Sequence, residues 1–226
     1  MISRQTNYLK GAITKMKRLF ASVISCVLIL SLICSGLTVS ATTITGAVDT
    51  DNFVRGIDVS TLDMLEDLGA RYYQNNVESD ALTILKNNGA NYVRLKLWVD
   101  PYDENGNPYG GGNNDYATTL ALARRAKNLG MGVLIDFHLS DFWTDPANQI
   151  KPKAWKDLSY SELKTTLYNY MKDTLNNFAA AGIVPEMVQV GNEISTGILH
   201  DDGKVGNGNE DFSNLAGLLE SAIAGV

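Results

Sequence analysis

The pair Asn192-Glu193 is the first place in this chain where residue type and position together suggest catalysis. It closes the segment 187–193, whose apolar start is typical of a buried strand. A carboxylate at such a strand end is partly desolvated, which raises its pKa and lets it hold a proton as a general acid must. The alternative interpretation is that Glu193 caps the next helix or pairs with a nearby base.

Polar side chains also lie in or end three earlier apolar segments. Arg94 and Lys96 share one strand face with Trp98, because strand side chains alternate. A buried arginine needs a carboxylate partner, so we expect Arg94 to be a fixed positive group near the catalytic acids. An outward salt bridge is the alternative for Arg94 and the favoured interpretation for Lys96. Asp58, which ends the first segment, is a substrate-binding candidate.

His138 follows Asp136 at the end of the third segment and could bind a metal ion with Asp136 or Asp141. The chain has only one other histidine, His200, so a site with several histidines is poorly supplied. We therefore expect no metal, and a His138 that donates a hydrogen bond to a sugar hydroxyl or to a carboxylate.

Short apolar segments alternate with longer amphipathic ones, which is typical of parallel strands covered by helices. Strands are predicted at 53–59, 91–98, 132–138 and 187–193, and helices at 80–88, 115–129, 160–181 and 212–224. Gly89, Gly130 and Gly182 directly follow the first three helices, as capping glycines do.

This order predicts an α/β protein of the (β/α)8 TIM-barrel type, of which the chain holds about the first four βα units. A closed barrel needs eight units, so we expect residues 42–226 to be the N-terminal half of a catalytic domain. A doubly wound sheet is the alternative, but no glycine-rich phosphate loop follows the first strand.

Two long loops, 101–115 and 141–155, follow the second and third strands and should rise on the face where the strands end. The second loop carries Asp141 and Trp143. Aromatic rings bind sugar faces and polar groups bind hydroxyls. The alternative is that a loop tryptophan packs only against its own loop.

The first 41 residues have the composition of a secretory signal peptide. A basic start precedes an uncharged run over 19–39, and Val39-Ser40-Ala41 fits cleavage before Thr42. A retained membrane anchor is the alternative, and the residues before Cys26 only faintly resemble a lipoprotein box. We expect a secreted, extracellular protein without stable membrane insertion.

Charge and cysteine content narrow the class of ligand. Both cysteines, Cys26 and Cys34, lie in the first 41 residues, so the rest of the chain has no disulfide and no zinc-thiolate site. Residues 42–226 carry 14 basic and 25 acidic side chains, a formal charge of −11. Such a balance argues against nucleic acid, anionic membranes and polyanionic substrates. A neutral ligand is favoured.

Glycoside hydrolysis accounts best for these residues. It requires a protonated acid at the leaving oxygen and a second carboxylate across the sugar. Glu193 is the good candidate for the acid, and the sequence offers no equally good partner for it.

Four motifs, in order and with similar spacing, resemble glycoside hydrolase family 53, the arabinogalactan endo-β-1,4-galactanases. They are RGIDVS at 55–60, YVRLKLWVDP at 92–101, DFHLSDFWTDP at 136–146 and VGNE at 190–193. The resemblance runs from about residue 52 to 205, and the four motifs together make it specific. Asn-Glu alone would indicate only the wider clan of retaining barrel glycosidases.

The resemblance implies a secreted barrel enzyme that cleaves internal β-1,4-galactosidic bonds of plant cell-wall galactan and type I arabinogalactan with retention. It implies that Glu193 is the acid/base and that Asn192 binds the 2-hydroxyl of the sugar at the cleavage point. It further implies roles around that sugar for Arg94 and His138, and sugar binding along the groove for the loop carrying Asp141 and Trp143.

The chain departs from the family pattern at several positions. Lys96 stands where many relatives have Arg, Leu139 replaces a common Tyr, and 194–196 differ from the usual sequence after the acid. The nucleophile of the family, a Glu after the seventh strand, has no counterpart in these residues. No cofactor is implied for them either, since the calcium of some bacterial relatives is held by later loops.

By itself this half barrel is expected to hydrolyse nothing and to be poorly soluble, because it would expose sheet edges and apolar surface. Two rival interpretations stay open. One is another retaining barrel glycosidase, such as a mannanase or cellulase. The other is an inactive remnant or secreted carbohydrate-binding protein.

Overall fold

The structure, a computed structural model, describes residues 53–206, 208 and 210–226. The predicted signal peptide, residues 1–41, lies outside the described residues. Within the described part, no helix combines the length and the hydrophobicity needed to cross a bilayer.

The described residues alternate strands and helices around a four-stranded parallel sheet. In chain order the elements are β1 (Gly56–Asp58), α1 (Leu62–Asp67), β2 (Tyr73–Gln74), β3 (Val77–Glu78), α2 (Ala81–Asn87), β4 (Tyr92–Leu97), α3 (Tyr116–Asn128), β5 (Gly132–Phe137), α4 (Tyr160–Ala180), β6 (Met187–Val190), β7 (Gly197–Ile198), β8 (Gly203–Lys204) and α5 (Ser213–Ala224). Short 3₁₀ turns occupy Lys153–Trp155 and Ile194–Thr196.

The four strands of this sheet lie in the order β1-β4-β5-β6, which is also their order along the chain, so every crossover moves one strand in the same direction along the sheet. Because such crossovers are right-handed, their helices lie on one face of the sheet. That is the geometry of a barrel wall, whereas a doubly wound sheet reverses direction and carries helices on both faces. The structure thus favours the barrel over the doubly wound alternative.

The helix-covered face holds the apolar core. Val93, Leu95 and Leu97 of β4 are at most 1% exposed, and they cluster with Leu122 of α3 and Leu163 of α4. Further members of the same cluster come from β5, α2 and α5. At about 25 cal/mol per Å² of apolar surface, this burial is the main force that fixes the strands.

The opposite face of the sheet is polar. The register aligns Lys96 of β4 with Asp136 of β5, and Asp136 with Gln189 of β6, so these side chains meet at one level. Asp58 of β1 is aligned with Arg94. The residues that were singled out for their chemistry therefore lie on the inner side of the barrel wall, near the carboxyl ends of the strands.

All four predicted strands and all four predicted helices are confirmed, but the helices are one or two residues shorter than predicted and the strands one to four residues shorter. Helices α2, α3 and α4 begin where Asp80, Asp115 and Ser159 cap their first turns. Helix α1 and the hairpins β2–β3 and β7–β8 were not predicted. Strands of two residues are too short to produce a periodic pattern.

Candidate active site

Arg94 is the centre of the polar cluster at the strand ends. Its Nη1 donates to Asp58 Oδ2 (2.6 Å), its Nε to Gln189 Oε1 (3.1 Å) and its Nη2 to Asn192 Oδ1 (2.8 Å). Nη2 also lies 2.6 Å from Asp136 Oδ2. The prediction that Arg94 is an inward, carboxylate-paired group is confirmed, and the outward salt bridge to a helix is wrong.

Asp58 is held between two cations and a hydroxyl. Its Oδ2 accepts hydrogen bonds from Arg94 and from Lys96 Nζ (2.7 Å), and its Oδ1 accepts one from Ser60 Oγ (2.7 Å). Burial by itself would raise the pKa of Asp58, but the hydrogen bonds from Lys96 and Ser60 outweigh it and hold the pKa at about 2. Asp58 is therefore a permanent anion and not a proton donor at neutral pH.

Lys96 corrects an expectation, because it points inward instead of forming an outward salt bridge. The residue is only 8% exposed, and its ammonium group lies 4.6 Å from the centre of the Trp143 ring. Pairing with Asp58 and the face of the indole compensates for its desolvation. Lys96 thus links strand β4 to the loop that carries Trp143.

Asp136 and His138 lie beneath Arg94 and are almost completely buried. Asp136 Oδ2 lies 3.0 Å from His138 Nε2, at ion-pair distance, although the angles at this carboxylate do not fit a hydrogen bond. The backbone N–H of Thr144 donates to His138 Nδ1 (3.2 Å), so that nitrogen carries no hydrogen. The neutral ring then carries its hydrogen on Nε2, facing Asp136. Because Nε2 lies near Asp136 without a hydrogen bond to it, the expected donation to a carboxylate or to a sugar hydroxyl stays a prediction.

Asn192 has both ends of its side-chain amide fixed. Its Oδ1 accepts from Arg94, and its Nδ2 donates to the carbonyl oxygen of Thr144 (2.7 Å). These contacts determine which end is nitrogen. Nδ2 keeps a second hydrogen, so this nearly buried side chain can still donate to a ligand hydroxyl.

Glu193 lies next to this cluster in a left-handed backbone conformation, with φ 52° and ψ 47°. The expected desolvation is not found, because Glu193 is exposed. It precedes the 3₁₀ turn Ile194–Thr196 without capping it through its side chain, and it forms no ion pair with any residue that the structure describes. Within the described part of the chain, Glu193 therefore neither caps the next helical turn nor pairs with a basic side chain.

Gly191 lets the chain turn sharply before this pair. Its φ is 82°, and a Cβ at this position would lie 2.6 Å from Ile194 Cγ2. A side chain there would push the turn, and Glu193 with it, out of place.

Aromatic rings line the wall beside the cluster. Trp143 is 41% exposed and Phe142 38% exposed, and both pack edge-on or tilted against the buried Trp98. Trp143 also contacts His138, so it packs across onto the sheet and not only against its own loop. Gly111 makes room for it, since a Cβ there would lie 2.8 Å from Trp143 Nε1.

An open cleft of about 880 Å³ runs along this wall. Its lining includes Tyr109, Asp141, Phe142, Trp143 and Lys156, while Glu193 lies outside it. Exposed rings flanked by polar groups are suited to a neutral, hydroxyl-rich ligand.

Asp141 joins the two long loops. Its Oδ1 accepts from the backbone N–H of Asp100 (3.0 Å), and its Oδ2 accepts from that of Lys153 (2.8 Å). Both oxygens are thus engaged by the protein, although the residue also borders the cleft. In this geometry Asp141 shapes the wall.

Among the described residues, no group of three or more His, Cys, Asp or Glu side chains is arranged to hold a metal ion.

Two residues that contact the cluster were missed by sequence reasoning. Thr144 binds both His138 and Asn192, and Gln149 binds the backbone of Asn192. Both lie in an irregular loop, where no periodicity signals burial.

A barrel wall with a polar cluster, an exposed strand-end glutamate and an aromatic cleft defines the class of the (β/α)8 carbohydrate-active enzymes. Residues 54–226 match the profile of glycosyl hydrolase family 53. The chain belongs to that family.

Two of the similar proteins are named as galactanases. It is 48% identical over 147 residues to an endo-beta-1,4-galactanase of Bacillus subtilis (strain 168), covering 65% of this chain and 34% of the relative. It is 43% identical over 173 residues to an arabinogalactan endo-beta-1,4-galactanase of Humicola insolens, covering 76% and 48% respectively.

Solved structures agree with the fold. The Ignisphaera aggregans GH53 catalytic domain superimposes with a TM-score of 0.74 at 48% identity, covering 80% of this chain and 49% of that one. One of two fungal beta-1,4-galactanases gives a TM-score of 0.69 at 39% identity, covering 76% and 48%. The chain thus spans between a third and a half of the length of the proteins it matches. Its described residues supply four parallel strands and the helices that follow them.

Proposed function

We propose that this chain supplies the acid/base half of a secreted, retaining endo-β-1,4-galactanase that acts on galactan and type I arabinogalactan. The observation that carries the proposal is the contact of Arg94 with Asn192, which fixes the amide next to an exposed Glu193 at the strand ends. The names of the related proteins supply the substrate class.

In the proposed mechanism Glu193 protonates the departing glycosidic oxygen while a second carboxylate attacks the anomeric carbon. No residue that the structure describes is assigned the role of that second carboxylate. Glu193 then takes a proton from water, which releases the galactosyl group. In a retaining enzyme the two carboxyl groups lie ~5–5.5 Å apart.

The remaining cluster orients the sugar. The free hydrogen on Asn192 Nδ2 donates to the 2-hydroxyl of the sugar at the cleavage point. Arg94, balanced by Asp58 and Asp136, keeps that amide in place. Trp143 and Phe142 offer apolar faces to sugars further along the cleft. His138 supports the cluster through its contacts with Asp136 and Thr144.

The test is expression of the complete reading frame that contains this chain, followed by product analysis on β-1,4-galactan, β-mannan and cellulose. We expect cleavage of galactan alone, with the β-anomer formed first in a proton NMR time course. Glu193→Gln should lower kcat by about 10²–10⁴-fold, while Glu220→Gln, on the exposed side of α5, should not.

Other outcomes of that experiment identify the rivals. Cleavage of mannan or cellulose in preference to galactan would indicate another retaining barrel glycosidase. Binding of galacto-oligosaccharides without hydrolysis would indicate a carbohydrate-binding protein or remnant.

Secretion is part of the proposal and rests on the composition of residues 1–41. N-terminal sequencing of protein from the culture medium should begin near Thr42. Recovery of protein with an uncleaved N-terminus in a membrane fraction would instead indicate a retained anchor.

A further inference from the structure

The backbone that carries Glu193 has a conformation that a glutamate seldom adopts. At φ 52° and ψ 47° it lies in the left-handed region, which side chains with a Cβ disfavour. Such a conformation persists only when contacts around it enforce it. The position of the Glu193 carboxyl therefore depends on whatever holds its two flanking peptide groups.

Gln149 provides those contacts from the loop 141–155. This side chain is only 2% exposed. Its Nε2 lies 2.8 Å from the carbonyl oxygen of Asn192 and 3.4 Å from that of Glu193, and it also reaches the carbonyl oxygen of Asp145 at 3.2 Å. One buried amide thus donates to the peptide groups on both sides of the Glu193 Cα.

We infer that Gln149 is a positioning residue for the acid/base, a role that rests on the proposed function of Glu193. By donating to the carbonyls of Asn192 and Glu193, it holds the left-handed turn and aims the exposed carboxyl group. It makes no contact with the carboxyl group itself, so it acts through the backbone.

The loop 141–155 does not depend on this amide to stay in contact with the segment 196–202, because other bonds join these two segments. Thr196 Oγ1 donates to the carbonyl oxygen of Pro146 (2.6 Å), and Lys151 pairs with Asp202 (2.6 Å). The backbone N–H of His200 donates to the carbonyl oxygen of Gln149 (2.7 Å). All of these would survive a change that removed only the Gln149 side-chain donor.

The test is Gln149→Met in the complete protein, since methionine keeps the length of the side chain and removes the donor. Two substrates distinguish a misplaced Glu193 carboxyl group from a general loss of packing. Galactan has a poor leaving group that needs a proton, while a 2,4-dinitrophenyl β-galactobioside has one that leaves without it. We expect kcat/KM on galactan to fall by about 10²-fold, as misplacement of a catalytic group does. The value on the aryl substrate should fall by less than about 3-fold.

The matched control is Thr196→Val, which removes a bond between the same segments and should leave both values within about 2-fold of the wild type. If Gln149→Met does not fold, Gln149→Leu replaces it, because it also removes the donor and adds no charge to the buried site.

Equal losses on both substrates would overturn the inference, because they indicate a merely structural role. Unchanged activity on both would overturn it as well. A wild-type protein that cuts neither substrate would instead contradict the proposed function, on which the inference rests.

Discussion

Arg94 Nη2 donates to the amide oxygen of Asn192 over 2.8 Å, while Nη1 of the same guanidinium donates to Asp58 over 2.6 Å. One side chain in β4 thus joins the end of β1 to the turn after β6. The planar fork of arginine can serve these directions at once, whereas an ammonium group is a single point of charge. The orientation of Asn192 consequently depends on a residue almost a hundred positions earlier in the chain.

Arg94→Lys should therefore impair catalysis while Glu193 remains in place. Lysine can keep the ion pair with Asp58 but cannot also reach Asn192 and Gln189 in the same geometry. We expect kcat/KM on galactan to fall by about 10–10²-fold, the usual size of a lost positioning contact. Arg125→Lys is the control, since Arg125 pairs with Glu66 and Asp80 away from the cluster. Full activity of Arg94→Lys would refute the role of the guanidinium fork.

Asp136→Asn should destabilise the protein more than the loss of a surface ion pair. Asp136 is completely buried and compensates Arg94, so its neutralisation leaves a partly buried cation with one carboxylate fewer. We expect the free energy of unfolding in urea to fall by about 2–3 kcal/mol. Glu78→Gln, which breaks the exposed pair with Arg71, should cost less than about 1 kcal/mol. Equal losses of unfolding free energy in the two variants would show that the buried carboxylate stabilises the protein no more than an exposed one.

Asp58 should make stability depend on pH between about 4 and 2. Its pKa is held at about 2 in the folded state, below the ordinary value of 3.8. A depressed pKa contributes stability that is fully present above the unfolded pKa and is lost as the pH falls through the folded one. With its partial exposure taken into account, the contribution is about 1–2 kcal/mol.

The measurement is the difference in unfolding free energy between the wild type and Asp58→Asn, followed from pH 5 downward. The asparagine stands in for the protonated acid, so the difference should shrink across that window, while effects of other carboxyl groups cancel. A difference that stays constant would mean that the folded pKa of Asp58 is not depressed.

Trp143→Ala should weaken binding of galacto-oligosaccharides. Trp143 presents a partly exposed ring to the cleft, and Lys96 lies over that ring. Loss of an aromatic face of this size corresponds to about 1.4 kcal/mol, or a tenfold rise in Kd measured by calorimetry. Tyr73→Ala, at an exposed aromatic in the β2–β3 hairpin, should leave the Kd unchanged. An unchanged Kd for Trp143→Ala would exclude this ring from the binding surface.

The parts of the fold with long-range periodicity were predictable from the sequence. The four strands follow from short apolar segments, their helices from longer amphipathic ones, and the inward face of Arg94 from the alternation of side chains along β4. Lys96 obeyed the same alternation, but the usual preference of lysine for water argued against it. The compensating carboxylate of Asp58 lies on another strand and becomes visible only when the strands are in register.

The contacts of Gln149 and Thr144 could not be predicted in this way. Both residues bind backbone atoms or side chains more than 40 positions away, across two irregular loops. No local pattern encodes such a pairing, because the partner is a carbonyl oxygen that every residue possesses. The left-handed backbone of Glu193 escaped prediction for the same reason.

Asp141 binds the backbone at Asp100 and at Lys153 with its two oxygens, and the Lys153 ammonium group reaches the carbonyl oxygens of Asp100 and Tyr102. The loops 101–115 and 141–155 are thereby fastened into one wall. An engineer who wishes to change the width of the groove cannot graft either loop alone. The two loops would have to be exchanged together, and Asp141 would have to be retained because its carboxylate bonds one to the other.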